Sequence, residues 1–173
     1  MLNETEKEAV ENGMKQLWLI WAAMMGSLLI YLYIVYAFGG EIRKDVRLPM
    51  GEDLPLELLR NIFYGVSVIV LFLGHFIRKW IIKNTSFSAQ LYKDRKKFSN
   101  QPSYMMKYTA AVVASLAMSE SIAIFGLVLF LIGADYQTFY IFLAISALGM
   151  FYFRPKRAEL DELARDDQPK PAF

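Results

Sequence analysis

The sequence predicts an all-α integral membrane protein of four transmembrane helices with both termini on the cytoplasmic side. Three observations predict it. The 173 residues are 55% hydrophobic and 15% aromatic, with a mean hydropathy of +0.29, above the ordinary balance of a soluble domain. The apolar residues come in long blocks that approach or exceed the roughly 20 residues needed to cross about 30 Å of hydrocarbon as a helix. The basic residues are partitioned: of nineteen Lys and Arg, only Arg43, Lys44, Arg47 and Arg60 fall between the first and second blocks, and the others fall on the opposite side. By the positive-inside rule that crowded side is the cytoplasm.

Taken in order, residues 1–16 form an amphipathic cytoplasmic lead-in, with Asn3-Glu4-Thr5-Glu6 resembling a helix capping box. Glu4, Glu6, Glu8 and Glu11 make the start acidic, and the apolar block that follows is longer than a cleaved signal segment, so the first helix is expected to remain in the mature protein. The membrane domain covers residues 17–153, with spans near 18–38, 61–82, 106–132 and 137–153; the fourth is the shortest. Gly39-Gly40, Pro49, Gly51 and Pro55 mark the first connection as an outer loop, with Asp53 as the N-cap of the second helix. The second span is expected to continue as a helix to about Phe98, where Asn100-Gln101-Pro102 breaks it. Gly133-Ala134-Asp135-Tyr136-Gln137 is short enough to fold the last two spans into an antiparallel hairpin. Residues 154–173 are a polar cytoplasmic tail whose Pro-rich end has too little apolar surface to pack. Trp18, Trp21, Trp80, Tyr104 and Tyr152 fall at one membrane interface, and Tyr31, Tyr33, Tyr36, Tyr64, Tyr136 and Tyr140 at the other.

Between Tyr108 and Ile132 the only ionisable side chain is Glu120. Twelve Val, Leu, Ile and Phe residues lie between 112 and 132, each contributing roughly −0.3 to −0.6 kcal/mol to insertion against about +3 for one central charge, so the segment inserts regardless of the acid. An intramembrane carboxyl is costly and marks a functional site by default. At 100° per residue, Ala110, Ala114, Ala117 and Ser121 form a small-residue stripe on one flank of Glu120, and Ser115, Ser119, Ala123 and Gly126 form another on the opposite flank. Two such flanks let neighbouring backbones approach and leave the carboxyl in a groove between helices. Ser119 and Ser121 point about 100° to either side of Glu120, so its partners are expected on a neighbouring helix or a backbone carbonyl.

The run Leu116-Ala117-Met118-Ser119-Glu120-Ser121-Ile122-Ala123-Ile124-Phe125-Gly126-Leu127-Val128, preceded by Asn100-Gln101-Pro102, resembles the carboxyl-bearing helix of the proteolipid c subunits of rotary ATPases. In that family a polar cytoplasmic loop containing Gln-Pro leads into a helix with a mid-membrane acid and then an aromatic-Gly-Leu-Val step. The resemblance covers about residues 100–132, and it implies that Glu120 reversibly binds a proton, or with Ser121 a sodium ion, within an oligomer. The whole chain also resembles small four-span bacterial inner-membrane proteins, which places it in the plasma (inner) membrane.

His75 is the second intramembrane titratable group, read either as a relay partner of Glu120 or as a neutral residue bonded to a nearby carbonyl or hydroxyl. Lys93, Arg95, Lys96 and Lys97 are candidates for anionic lipid headgroups, worth about 1 kcal/mol each beside the inner leaflet, or simply enforce topology. With one His and no Cys, no metal or cofactor set is present, and no P-loop, HExxH, GxGxxG or catalytic triad pattern appears. A net charge of +2 gives no reason to expect nucleic-acid binding. The sequence therefore points to a non-enzymatic structural or accessory subunit of a larger membrane complex, with membrane lipids and other subunits or copies of itself as partners; the alternative is a proton- or ion-responsive homo-oligomer using Glu120. The topology is tested by single cysteines. In intact cells an impermeant thiol reagent is expected to label Asp45→Cys and to leave Thr5→Cys, Ser99→Cys and Asp167→Cys unlabelled; outside labelling of Ser99→Cys rejects the arrangement.

Overall fold

The computed structural model describes residues 4–45, 55–83 and 102–166, all built from helices: α1 (Glu4–Asp45), α2 (Leu56–Lys83), α3 (Ser103–Gly133), α4 (Tyr136–Tyr152) and α5 (Arg157–Asp166). The expected continuation of α2 beyond Lys83, the Asp53 cap and the Lys93, Arg95, Lys96 and Lys97 cluster lie outside the described residues. The lead-in of residues 4–16 is continuous with the first apolar helix, so α1 runs 42 residues without a break.

Three helices are long and apolar enough to cross a membrane by themselves, over Val10–Glu41, Leu56–Lys83 and Ser103–Gly133. The fourth expected span is shorter: α4 has 17 residues, about 26 Å of helix against roughly 30 Å of hydrocarbon. It reaches the length of a span only together with α5, across a bend of 43°. Pro155 lies in that bend, where its missing N–H and the restricted residue before it cannot continue a helix.

Helix α3 packs against every other helix. Residue pairs give the directions. Phe63 stacks on Phe125 and Gly74 sits beside Met118, so α2 and α3 are antiparallel. Phe139 meets Phe130 while Ser146 bonds to Ser119, so α4 is antiparallel to α3 as well. Gly13 meets Met105 and Ser27 meets Glu120, so α1 runs parallel to α3. One end of the bundle therefore gathers the start of α1, the end of α2, the start of α3 and the end of α4.

The two small-residue stripes of α3 separate in the structure. Ser115, Ser119, Ala123 and Gly126 are all buried, whereas Ala117 is exposed and Ala110, Ala114 and Ser121 are half-buried. The buried stripe seats α4 and α2. A Cβ on Gly126 would lie 2.6 Å from Phe142 Cβ, one on Gly149 would lie 2.8 Å from Ser119 Oγ, and Ser146 Oγ donates to the Ser119 carbonyl at 2.7 Å. The other stripe is covered only in part by the described residues.

The hairpin joining α3 to α4 is closed by local chemistry. Ala134 takes the left-handed conformation (φ 51°) that ends α3, its N–H donating to the Phe130 carbonyl at 2.7 Å. Asp135 then caps α4 by accepting from the Thr138 amide at 3.0 Å and hydroxyl at 2.5 Å, with Arg60 of α2 3.8 Å away. These bonds from Thr138, followed by the Arg60 charge, hold the Asp135 carboxyl below the usual carboxylate range.

At the other end, residues 154–173 do not begin as an unstructured tail. Helix α5 is amphipathic and buries Leu160, Leu163 and Ala164 in one cluster with Val10, Met14 and Leu17 of α1 and Tyr104 and Met105 of α3.

Two predictions follow from this packing. Gly126→Leu forces Phe142 and the Phe139 carbonyl aside and should cost about 1–3 kcal/mol, whereas Ala117→Leu, on an exposed position, should stay within about 0.5 kcal/mol; denaturation in detergent distinguishes them. Loss of the α4 cap in Asp135→Ala should cost about 1 kcal/mol. Because the folded-state pKa is depressed, the stabilisation from the Asp135 charge is complete above the unfolded value of about 3.9 and is lost as pH falls through the lower folded value. Asp135→Asn should keep the cap and flatten that acid-range slope in a melting series.

Candidate functional site

Glu120 faces α1. Ser27 Oγ lies 2.5 Å and Tyr31 Oη 3.1 Å from the same carboxyl oxygen, Oε1, each placed to donate to it. These two hydroxyls are one turn apart on α1, a spacing that puts them on one face, and Leu28 and Val35 bury the same side of the helix beside them. Tyr31, assigned from sequence to the outer aromatic belt, instead turns inward at the depth of Glu120. Among the described residues no hydrogen bond reaches Oε2 and no basic side chain pairs with the carboxyl, and Glu120 is only half-buried.

The arrangement accommodates either protonation state without moving a heavy atom. Ser27 has one hydroxyl proton and two acceptors in reach, Glu120 Oε1 and its own helix's Met24 carbonyl at 2.7 Å. Facing a carboxylate, Ser27 and Tyr31 both donate to Oε1. Facing the neutral acid, Ser27 accepts the carboxyl proton and turns its own to Met24. Rotation of one hydroxyl switches between the two.

The other expected site residues are placed elsewhere. The Ser121 hydroxyl donates to the Met118 carbonyl at 2.7 Å, within its own helix, and takes no part in the Glu120 cluster. Ser119 likewise bonds back to the Ser115 carbonyl at 3.1 Å and packs against α4. His75 sits at the gathered end of the bundle, with Nδ1 3.3 Å from Tyr152 Oη of α4, while Glu120 faces α1; the two titratable groups are on different seams and do not meet. The reading of His75 as a residue bonded to a nearby hydroxyl matches this geometry. Among the described residues no three His, Asp or Glu side chains are placed to hold a metal ion.

Sequence reading missed Ser27 and Tyr31. Their signal is a Ser and a Tyr at a spacing of four inside an apolar helix, Ser27 being the only serine of α1. It is a weak signal, since the same residues serve as small packing points and interface anchors. Compared with known proteins, the chain matches no family model, no curated protein and no solved structure.

Proposed function

We propose that the chain is a small, non-enzymatic multi-pass protein of the bacterial inner membrane in which Glu120 binds and releases a proton between α1 and α3, as part of an oligomer or larger membrane complex. The observation that carries this reading is the Glu120 carboxyl held by two hydroxyls on one oxygen and left unbonded on the other. A site of that form takes up a proton at no cost in packing and exposes an oxygen through which the proton enters. The resemblance of residues 100–132 to rotary-ATPase c subunits supports it, since it implies the same chemistry at Glu120.

Membrane placement and assembly are supported by the outer helices. The most apolar windows of α1 and α2 are only 11% and 6% buried within the chain, against 39% for α3. Large side chains such as Tyr36, Phe72 and Leu148, exposed by 85%, 74% and 69%, need lipid or another protein to cover them. The charge partition described above supports a cytoplasmic position for both termini.

A second reading is favoured by the fact that Ser27 and Tyr31 tie α1 to α3 through the acid: Glu120 is then a fixed clasp in an accessory subunit. The readings differ in the Gln variant, which preserves size and hydrogen bonding but has no proton to release. In reconstituted protein, the wild type is expected to show a protonated-carboxyl infrared band whose intensity changes with pH, absent from a correctly folded Glu120→Gln. A wild type without a titrating band that Glu120→Gln removes rejects the proton-binding reading and leaves the clasp. Under either reading Glu120→Leu strands the Tyr31 hydroxyl and should cost about 1–3 kcal/mol in a detergent melt.

A further inference from the structure

The gathered end of the bundle holds an open cleft of about 660 Å³ between the last turns of α2, the start of α3, the corner joining α4 to α5, and α5. Five basic side chains line it against two acidic ones. Two of the five are already engaged. Arg78, buried, donates to the Phe153 carbonyl at 2.7 Å and to Glu159 Oε2 at 2.6 Å. Lys156 lies 5.5 Å above the Tyr152 ring and 3.8 Å from Glu159 Oε1. These contacts hold the corner together and account for Glu159, one of the two acids.

The remaining three, Lys79, Lys83 and Lys107, have no ion pair among the described residues. Lys79 and Lys83 are exposed on the rim, one helical turn apart on the same face of α2. Lys107 is different: only 8% of it is exposed, yet its ammonium makes no hydrogen bond or ion pair among the described residues. Its side chain forms part of the wall of the cleft. A buried ammonium is costly unless paired, and this one lines a cleft ringed by further cations with a surplus of positive charge.

We propose that this cleft binds a phosphate-bearing anion, with Lys107 as the deep ligand and Lys79 and Lys83 closing over it from the rim. Three ammonium groups converging from two helices suit the spread negative charge of a phosphate, and charge-assisted bonds to its oxygens satisfy Lys107. The apolar side chains of Ile82, Phe153 and Leu163 share the cleft with the cations, so the site also accepts a phosphate carried on an apolar body. The phosphate arises from either an anionic lipid headgroup or a soluble phosphate compound. The proposal stands on the cleft alone and is independent of proton binding at Glu120.

The test uses the purified full chain in mild uncharged detergent, with melting temperature followed while dihexanoyl phosphatidylglycerol, inorganic phosphate or dihexanoyl phosphatidylcholine is titrated in. Wild type is expected to give a saturable upward shift with phosphatidylglycerol and little with the zwitterionic lipid, weakened by added salt. An equal shift with inorganic phosphate identifies a soluble ligand; a shift confined to phosphatidylglycerol identifies a headgroup. Lys107→Gln should weaken binding by about tenfold or more and Lys107→Arg should retain most of it. Should Lys107→Gln not fold, Lys79→Gln combined with Lys83→Gln, both on exposed positions, should weaken binding by about tenfold. The proposal is overturned if neither anionic probe shifts the wild type saturably, or if folded variants bind with wild-type affinity.

Discussion

How closely the backbone of α4 can approach α3 decides the rest of the structure. Where Gly126 meets Phe142 and Gly149 meets Ser119, the added bulk of a single Cβ would collide with a neighbour at 2.6 and 2.8 Å, and the Ser119 carbonyl is near enough to accept from Ser146. Such close contact, and the dispersion it gains, is a large part of what holds apolar helices together. The same buried stripe carries Ser115, whose hydroxyl donates to the Ala111 carbonyl at 2.7 Å beside the Gly74 carbonyl of α2. Once α2 and α4 occupy these faces, α3 is the centre of the bundle. The face bearing Glu120 is left for α1.

Polar groups inside this apolar assembly are mostly tied off, and the means are economical. Ser115, Ser119 and Ser121 each bond back to a carbonyl of their own helix, which removes the cost of a hydroxyl in hydrocarbon without a partner. The corner at residues 153–156 frees backbone groups that cannot bond within a helix. Tyr108, fully buried, accepts from the Lys156 amide at 2.6 Å and donates to the Lys156 carbonyl at 2.8 Å, and Arg78 takes the Phe153 carbonyl. That corner bends the chain by 43°, packs α5 against the starts of α1 and α3, and so makes one wall of the cleft.

Against that background, Glu120 and Lys107 stand apart. Each is packed into the bundle by its stem, and each keeps a polar atom without a protein partner among the described residues: Oε2 at the α1–α3 seam and Nζ in the cleft. Most of the buried hydroxyls and corner carbonyls around them are satisfied by short local bonds, Ser67 Oγ being an exception, and these two charged groups are the ones on which the proposed proton and anion sites are built. They sit in different parts of the fold, one midway along α3 and one in its first turns, so the two proposals can be tested separately by mutation.

The sequence by itself determined the helical class, the approximate extent of α2 and α3 within the described residues, the tight turn at Gly133–Tyr136, and Glu120 as the one acid in the apolar part of α3; α1 instead runs from Glu4 through Gly39-Gly40 to Asp45, where the sequence placed the start of a loop. These follow from local composition: runs of apolar residues, a helix-ending turn and an N-cap act over a few neighbouring residues and need no knowledge of the rest of the chain. Which of two equivalent small-residue stripes is buried, that Ser27 and Tyr31 meet Glu120 from 93 and 89 residues away, that α4 needs α5 to reach the length of a span, and that Lys107 opens into a cleft were decided only by tertiary structure. Each depends on how one helix is rotated and offset against another. That rotation is set by side-chain volumes meeting across segments far apart in the chain, which a helical period of 3.6 residues constrains to a face but does not assign to a partner.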